Sequence, residues 1–217
     1  MICGVDEAGR GPVMGPLVVC GVAVESEDVL RGLKVKDSKK LSAKRREELD
    51  REIRKVARVH LEIITAEEID TFRERQSLNV IEVVAFSRVI KALAPRIVYV
   101  DAADSNADNF RFEILKRIGQ DVEVVSRHKA DDIYPVVSAA SIVAKVRRDS
   151  EVRRIEQELG ASMGSGYPSD PRTVWFLEKW IKEHGHLPPH IRKSWKTSQN
   201  LLKNHGPGAV TLDDFKG

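Results

Sequence analysis

The sequence predicts an α/β fold: a mixed β-sheet flanked by helices on both faces, with a helical extension toward the C-terminus. Three observations predict it. Two apolar, β-branched runs open the chain at residues 2–6 and 17–24. Strand-like and helix-like runs then alternate as far as residue 159, and from residue 162 the pattern is helix and loop. Early strands followed by strand–helix alternation fit a single sheet covered by helices.

Each element has its own signal. Residues 2–6 read as a strand closed by Asp6 and Glu7, and residues 17–24 as a second strand. Ser42 is an N-cap for a helix ending at Val56, because its hydroxyl accepts from a free N–H of the first turn. Residues 60–64 form a third strand and residues 66–71 a short helix. Asn79 caps a helix that runs to Leu93, and Pro95 ends it. Residues 97–100 form a short buried strand that delivers Asp101 at its C-terminal end. A helix over 106–118, a strand over 122–126 and a long helix over 136–159 follow. The expected division is a principal domain over 1–160, an extension over 161–205 and a flexible tail over 206–217.

With 217 residues, 41% of them hydrophobic, the chain is long enough for one sizeable core. Its net charge of +3 says little about partners. Lys and Arg gather at residues 34–58, 145–154 and 192–203, in patches that suit a phosphate backbone. Solvated helix faces give the same pattern, since acids are mixed into most of these runs. Cys3 and Cys20 lie in apolar strands and read as buried free thiols. No apolar run is long enough to span a bilayer and no signal sequence precedes the first motif, so a cytoplasmic protein with no membrane association is expected. A monomer is expected.

The chemistry concentrates in Gly4-Val5-Asp6-Glu7-Ala8-Gly9-Arg10-Gly11-Pro12. Neighbouring side chains on a strand point to opposite faces. Asp6 and Glu7 therefore share a site only where the strand ends and the backbone turns, which the following glycines allow. Acids that hold a divalent cation, beside bare main-chain amides and an arginine, suit phosphodiester chemistry. Asp101 and the pair Asp131-Asp132 bring further acids to a strand end or a helix start. Clustered carboxylates raise one another's pKa unless a cation is present, and Mg2+ or Mn2+ prefers oxygen ligands. On the residues alone, Asp101 reads equally as a helix cap or strand end. Asp131 and Asp132 read equally as first-turn acids that favour the helix dipole.

The string from Asp6 to Pro12, with Gly15-Pro16-Leu17 after it, resembles the first signature of the type 2 ribonucleases H, the ribonuclease HII family. Tyr99-Val100-Asp101 is similar to the family's second acidic segment. His128-Lys129-Ala130-Asp131 with Tyr134-Pro135 is similar to the third, and residues 138–149 to its long-helix signature. The matches run in order over residues 4–197. The resemblance implies a ribonuclease H-like fold and four catalytic, metal-holding acids: Asp6, Glu7, Asp101 and Asp131, with Asp132 the rival for the last role. It implies two divalent ions, Mg2+ or Mn2+. It also implies an endonuclease that hydrolyses the RNA strand of RNA–DNA hybrids and cuts 5′ of single ribonucleotides in duplex DNA, leaving 5′-phosphate and 3′-hydroxyl ends. Asp149 falls in the helix signature and reads as structural or as a support behind the metal-holding acids.

The substrate contacts are read partly from the residues and partly from the same resemblance. The backbone of Gly9, Arg10 and Gly11 supplies a donor and an acceptor for a ribose 2′-hydroxyl. Tyr167, in the loop Gly164-Ser165-Gly166-Tyr167-Pro168, is similar to the tyrosine that probes the ribonucleotide–deoxyribonucleotide junction. Ser38 and Lys39, within a motif similar to the family's at residues 36–42, and Lys145 are expected on phosphates. The extension then completes the substrate site, with Trp195 in the core. Leu212 and Phe215 sit one helical turn apart in a tail that resembles a sliding-clamp-binding peptide. Ala209 stands where such peptides usually carry Gln, and Lys216 where a second aromatic is common. Ribonuclease HIII is the related alternative, and usually carries an extra N-terminal domain. A non-catalytic nucleic-acid-binding protein on this fold would lack one of the acids, and none is missing. An enzyme for small phosphoesters would have no use for a ribose-reading turn.

Overall fold

Five strands form one mixed sheet: β1 (Ile2–Ala8), β2 (Leu17–Val24), β3 (Arg58–Ile64), β4 (Ile97–Asp101) and β5 (Glu123–Arg127), in the order β3-β2-β1-β4-β5. β1 pairs antiparallel with β2 and parallel with β4, and β4 pairs parallel with β5. The helices are α1 (Asp28–Gly32), α2 (Ala43–Val56), α3 (Ala66–Arg73), α4 (Leu78–Leu93), α5 (Ala107–Ile118), α6 (Ala130–Ile133), α7 (Pro135–Leu159), α8 (Pro171–His184) and α9 (Lys196–His205). This computed structural model describes residues 1–35 and 41–207. The expected mixed sheet flanked by helices is the architecture found.

The described chain divides into two compact units. The first takes Met1–Ala8, Leu17–Ile63 and Gln76–Asp149, and holds the sheet. Two glycines let helices lie directly on its two faces. A Cβ on Gly4 would overlap the backbone of Val136 and Val137, so α7 rests against β1 with no side chain between them. A Cβ on Gly21 would overlap Val89 and Leu93 of α4 on the other face. Val18, Cys20 and Val22 of β2 pack with Leu49, Ile53 and the apolar side of α7 in one buried cluster. Cys3 and Cys20 are free, buried thiols, as expected. Burial pushes the Cys3 thiol up to about 12 and the Cys20 thiol well above its ordinary value. Neither ionises near neutral pH, so neither is a nucleophile.

The second unit takes Gly9–Pro16, Ile64–Arg75 and the chain from Ser150 onward. Its core joins Val13 and Met14 to Ile155, Met163, Phe176, Leu177 and Ile181. Trp195 packs against this cluster, as expected.

Most element signals agree with the structure. Ser42 and Asn106 cap α2 and α5 by accepting from Arg45 N (3.2 Å) and Asn109 N (3.0 Å). Two expectations need correction, and two short helices went unread. β1 does not end at Asp6 but runs on through Glu7 to Ala8, paired with β2 as far as Val18. α4 is capped by Ser77, whose Oγ accepts from Val80 N, while Asn79 donates to Asp104 Oδ2 at 2.9 Å. The short helices α1 and α6 were not read, because four or five residues hold too little pattern to signal a helix. Among the described residues, no helix is long and apolar enough to cross a membrane.

Candidate active site

The first unit places Asp6 beside Asp101 through strand register and brings Asp131 in on α6. Gly4 faces Tyr99 in the parallel pairing of β1 with β4, and side chains two residues on share a face. Asp6 and Asp101 therefore project from neighbouring C-terminal strand ends onto one face, the one that α7 covers. The carboxyl ends of parallel strands are where α/β sheets place their ligands. Asp101 Oδ1 accepts from Ala130 N at 3.1 Å, which ties the start of α6 to the end of β4. Lys129, the residue before α6, is in the left-handed region at φ 55°, and this turn presents Asp131. Asp131 is 3% exposed, whereas Asp132 is exposed.

Electrostatics show that these groups act on one another. Asp6 is 5% exposed and its carboxyl is pushed up to about 7. Burial is the main cause; the charges of Asp101 and then Asp131 add to it. A hydrogen bond with Ser141 of α7 and one from Glu7 N (2.7 Å) oppose the rise. This donor set is all carboxylate oxygen, and its mutual repulsion is what a hard dication relieves, so the residues fit a Mg2+- or Mn2+-type ion. Among the described residues, no three His, Cys, Asp or Glu side chains close on a single ion position.

The backbone does not turn between the two acids: β1 runs on through Glu7 to Ala8. β1 outruns its parallel partner there, since the β4 pairing stops at Val5 and Val100. Lys145 lies one turn beyond Ser141 on α7 and donates to Asp149 at 2.7 Å. Ser38 and Lys39 lie outside the described residues, as do Leu212 and Phe215.

The second unit brings the two candidate sugar-reading segments together. Gly9 has φ 90°, and the turn that follows carries Arg10 and Gly11. A Cβ on Gly11 would lie 3.4 Å from Cε1 of Tyr167, so the tyrosine ring stands beside this turn. Val13 N donates to Gly166 O at 2.8 Å and joins the two segments through the backbone. Asp170 and Thr173 hold the tyrosine loop. Asp170 Oδ2 accepts from Ser165 N (2.8 Å), and Thr173 Oγ1 accepts from Gly166 N (3.0 Å) while donating to Met163 O (2.8 Å). The Arg172 guanidinium beside Asp170 holds its carboxyl well below the usual range. Tyr167 remains 36% exposed.

Sequence reading missed the residue that braces this turn. Arg192 opens a basic patch expected to meet phosphates, yet it is fully buried. Its guanidinium donates to the carbonyls of Gly9, Arg10 and Gly15. The only signal was its place after an apolar residue in a short loop, which a solvated arginine shares.

The sequence profile of the ribonuclease HII family matches residues 3–198. The chain is 48% identical over 204 residues to ribonuclease HII of Methanocella arvoryzae, covering 93% of this chain and 91% of that one. It is 48% identical over 206 residues to ribonuclease HII of Thermococcus kodakarensis, covering 93% and 90%. Among solved structures it is similar to the PCNA:RNase HII complex of Archaeoglobus fulgidus (TM-score 0.88, 46% identity, 99% of this chain and 100% of that one). It is also similar to ribonuclease H2 of Pyrococcus horikoshii (TM-score 0.88, 38% identity, 94% and 98%). A ribonuclease HIII, Bst-RNase HIII in complex with Mn2+, shares the fold at 20% identity and a TM-score of 0.79. With its acids at the strand ends of an RNase H-like sheet, the chain belongs to the ribonuclease HII family of divalent-metal-dependent type 2 endonucleases.

Proposed function

We propose that this endonuclease cuts the RNA strand of RNA–DNA hybrids and cuts 5′ of single ribonucleotides embedded in duplex DNA, leaving 5′-phosphate and 3′-hydroxyl ends. One observation carries the metal-site part of the reading. Buried Asp6 has its carboxyl pushed up to about 7 by burial together with Asp101 and Asp131, which come from two other segments. Asp6, Asp101 and Asp131 would hold two Mg2+ or Mn2+ ions, and Glu7 would join them around the open end of β1. When bound, such ions activate a water and offset the charge that builds on the phosphate and the leaving oxygen. The side chains supply position. Ser141 and the Glu7 amide orient Asp6, and the Ala130 amide orients Asp101. Lys145 would release Asp149 to contact a phosphate, and Ser38 and Lys39 would bind others.

Sugar reading would fall to the Gly9–Gly11 backbone, with a donor and an acceptor for the 2′-hydroxyl, and to Tyr167. The proximity of Tyr167 to Gly11 supports this pairing. The solved Archaeoglobus fulgidus relative is in complex with PCNA, which supports a sliding clamp as a partner for this chain. Leu212 and Phe215 would be its anchors.

Asp101→Asn tests the metal-site assignment. Cleavage should fall at least about a thousandfold, equivalent to some 4 kcal/mol, while calcium-supported binding of a hybrid duplex survives. Full activity in this variant would sink the assignment.

A further inference from the structure

We propose that Arg192 is the positioning residue of the sugar-reading turn, and that it sets the direction of the amides that meet a ribose. The inference rests on the functional reading above and deepens it. A trans peptide plane fixes the carbonyl of one residue and the N–H of the next in opposite directions. Arg192 Nη2 donates to Gly9 O, and Nη1 donates to Arg10 O at 2.9 Å. Holding those two carbonyls on the guanidinium side turns the N–H groups of Arg10 and Gly11 to the other side. Nε and Nη2 also reach Gly15 O, at 3.1 and 3.0 Å, and so hold both ends of the turn. Glycine would otherwise leave this backbone free to adopt several conformations.

The guanidinium is itself braced. Its Cζ lies 4.8 Å from the centroid of the Trp195 ring. Arg192 N donates to Val13 O at 2.8 Å, and Arg192 O accepts from Ser198 Oγ at 2.8 Å and Trp195 N at 3.1 Å. Two acids of α3 clasp the loop on either side: Glu67 accepts from His190 N (3.1 Å), and Asp70 accepts from Lys193 N (2.6 Å) and Ser194 N (2.9 Å). His190 takes the left-handed region at φ 61°, a conformation that persists in a non-glycine residue only where its surroundings over-determine it. A planar fork on three carbonyls is a task for arginine; the point charge of lysine cannot reproduce it.

The test uses the full-length Asp101→Asn protein with calcium, the condition expected to allow binding without cutting. Two duplexes are compared, one with a single ribonucleotide and one all-deoxy but otherwise identical. The quantity read is the ratio of the two affinities. Arg192→Lys should lower that ratio about tenfold, the worth of one to two hydrogen bonds, with all-deoxy affinity held within about twofold. Asp70→Ala, which loosens the loop without touching the buried guanidinium, should move the ratio in the same direction. An unchanged ratio in folded Arg192→Lys overturns the assignment. Should that variant not fold, an unchanged ratio in Asp70→Ala overturns it. Equal weakening toward both duplexes also overturns it, because a merely structural role acts on both alike. If the parent itself binds both duplexes equally, the functional reading fails and takes this inference with it, and that failure shows before Arg192 is altered.

Discussion

Asp6 carries two opposed demands. A buried carboxyl beside two others destabilises the metal-free protein, yet the same crowding makes the site fit a dication. Asp6→Asn should therefore abolish cleavage without lowering the melting temperature in chelator at pH 8. A large loss of stability there would mean that Asp6 is kept for structure. Tyr167 makes the complementary case. Its ring is over a third exposed, so Tyr167→Ala should cost only about 1 kcal/mol of stability. Cleavage at a single ribonucleotide should fall about tenfold or more, and equal activity on every substrate would reject a sugar-reading role. The acids were legible because Asp-Glu before Gly-Arg-Gly is an uncommon string and its companions follow in order. Arg192 was not legible, since nothing in one sequence separates an arginine buried on carbonyls from one facing solvent.

At the scale of elements, backbone contact decides where helices sit. Gly4→Ala should cost about 3 kcal/mol or more, because the new methyl meets main chain that cannot step aside. For a chain of this size that is a drop of about 10 °C in melting temperature. Ala94 tests the opposite sign. It ends α4 at φ 47°, exposed, in the left-handed region that glycine adopts freely. Ala94→Gly should stabilise by about 0.5 to 1 kcal/mol, and a loss on thermal melting would show that the cap geometry is wrong. A helix with a polar cap before an apolar periodic run was readable, as Ser42 and α2 show. β1 was cut short in the reading because two acids look like a strand end, while pairing with β2 carries the backbone two residues further. The second unit draws on residues 9–16 and 64–75, and such short stretches carry no mark of the body they will join.

Across the whole molecule, the same acids link stability to pH and metal. Asp6 holds its proton in the folded state up to about 7 but releases it near 3.8 when unfolded. Between those values the folded state binds more protons, so this group's contribution to stability declines as pH rises through that window. In chelator, melting temperatures measured from pH 4.5 to 8 should show this decline, and Asp6→Asn should flatten it. Mg2+ or Mn2+ should restore stability at the upper end by binding the folded state alone. A profile identical in wild type and Asp6→Asn would contradict the linkage. The central claim is that carboxylates at the strand ends cut where a ribose is read. Its most direct test is cleavage of a labelled DNA duplex carrying one ribonucleotide, with Mg2+ or Mn2+, by the wild-type chain and by Asp6→Asn. The expected result is a metal-dependent cut on the 5′ side of the ribonucleotide that Asp6→Asn does not make; no cut with either ion, or a cut that Asp6→Asn still makes, would contradict it.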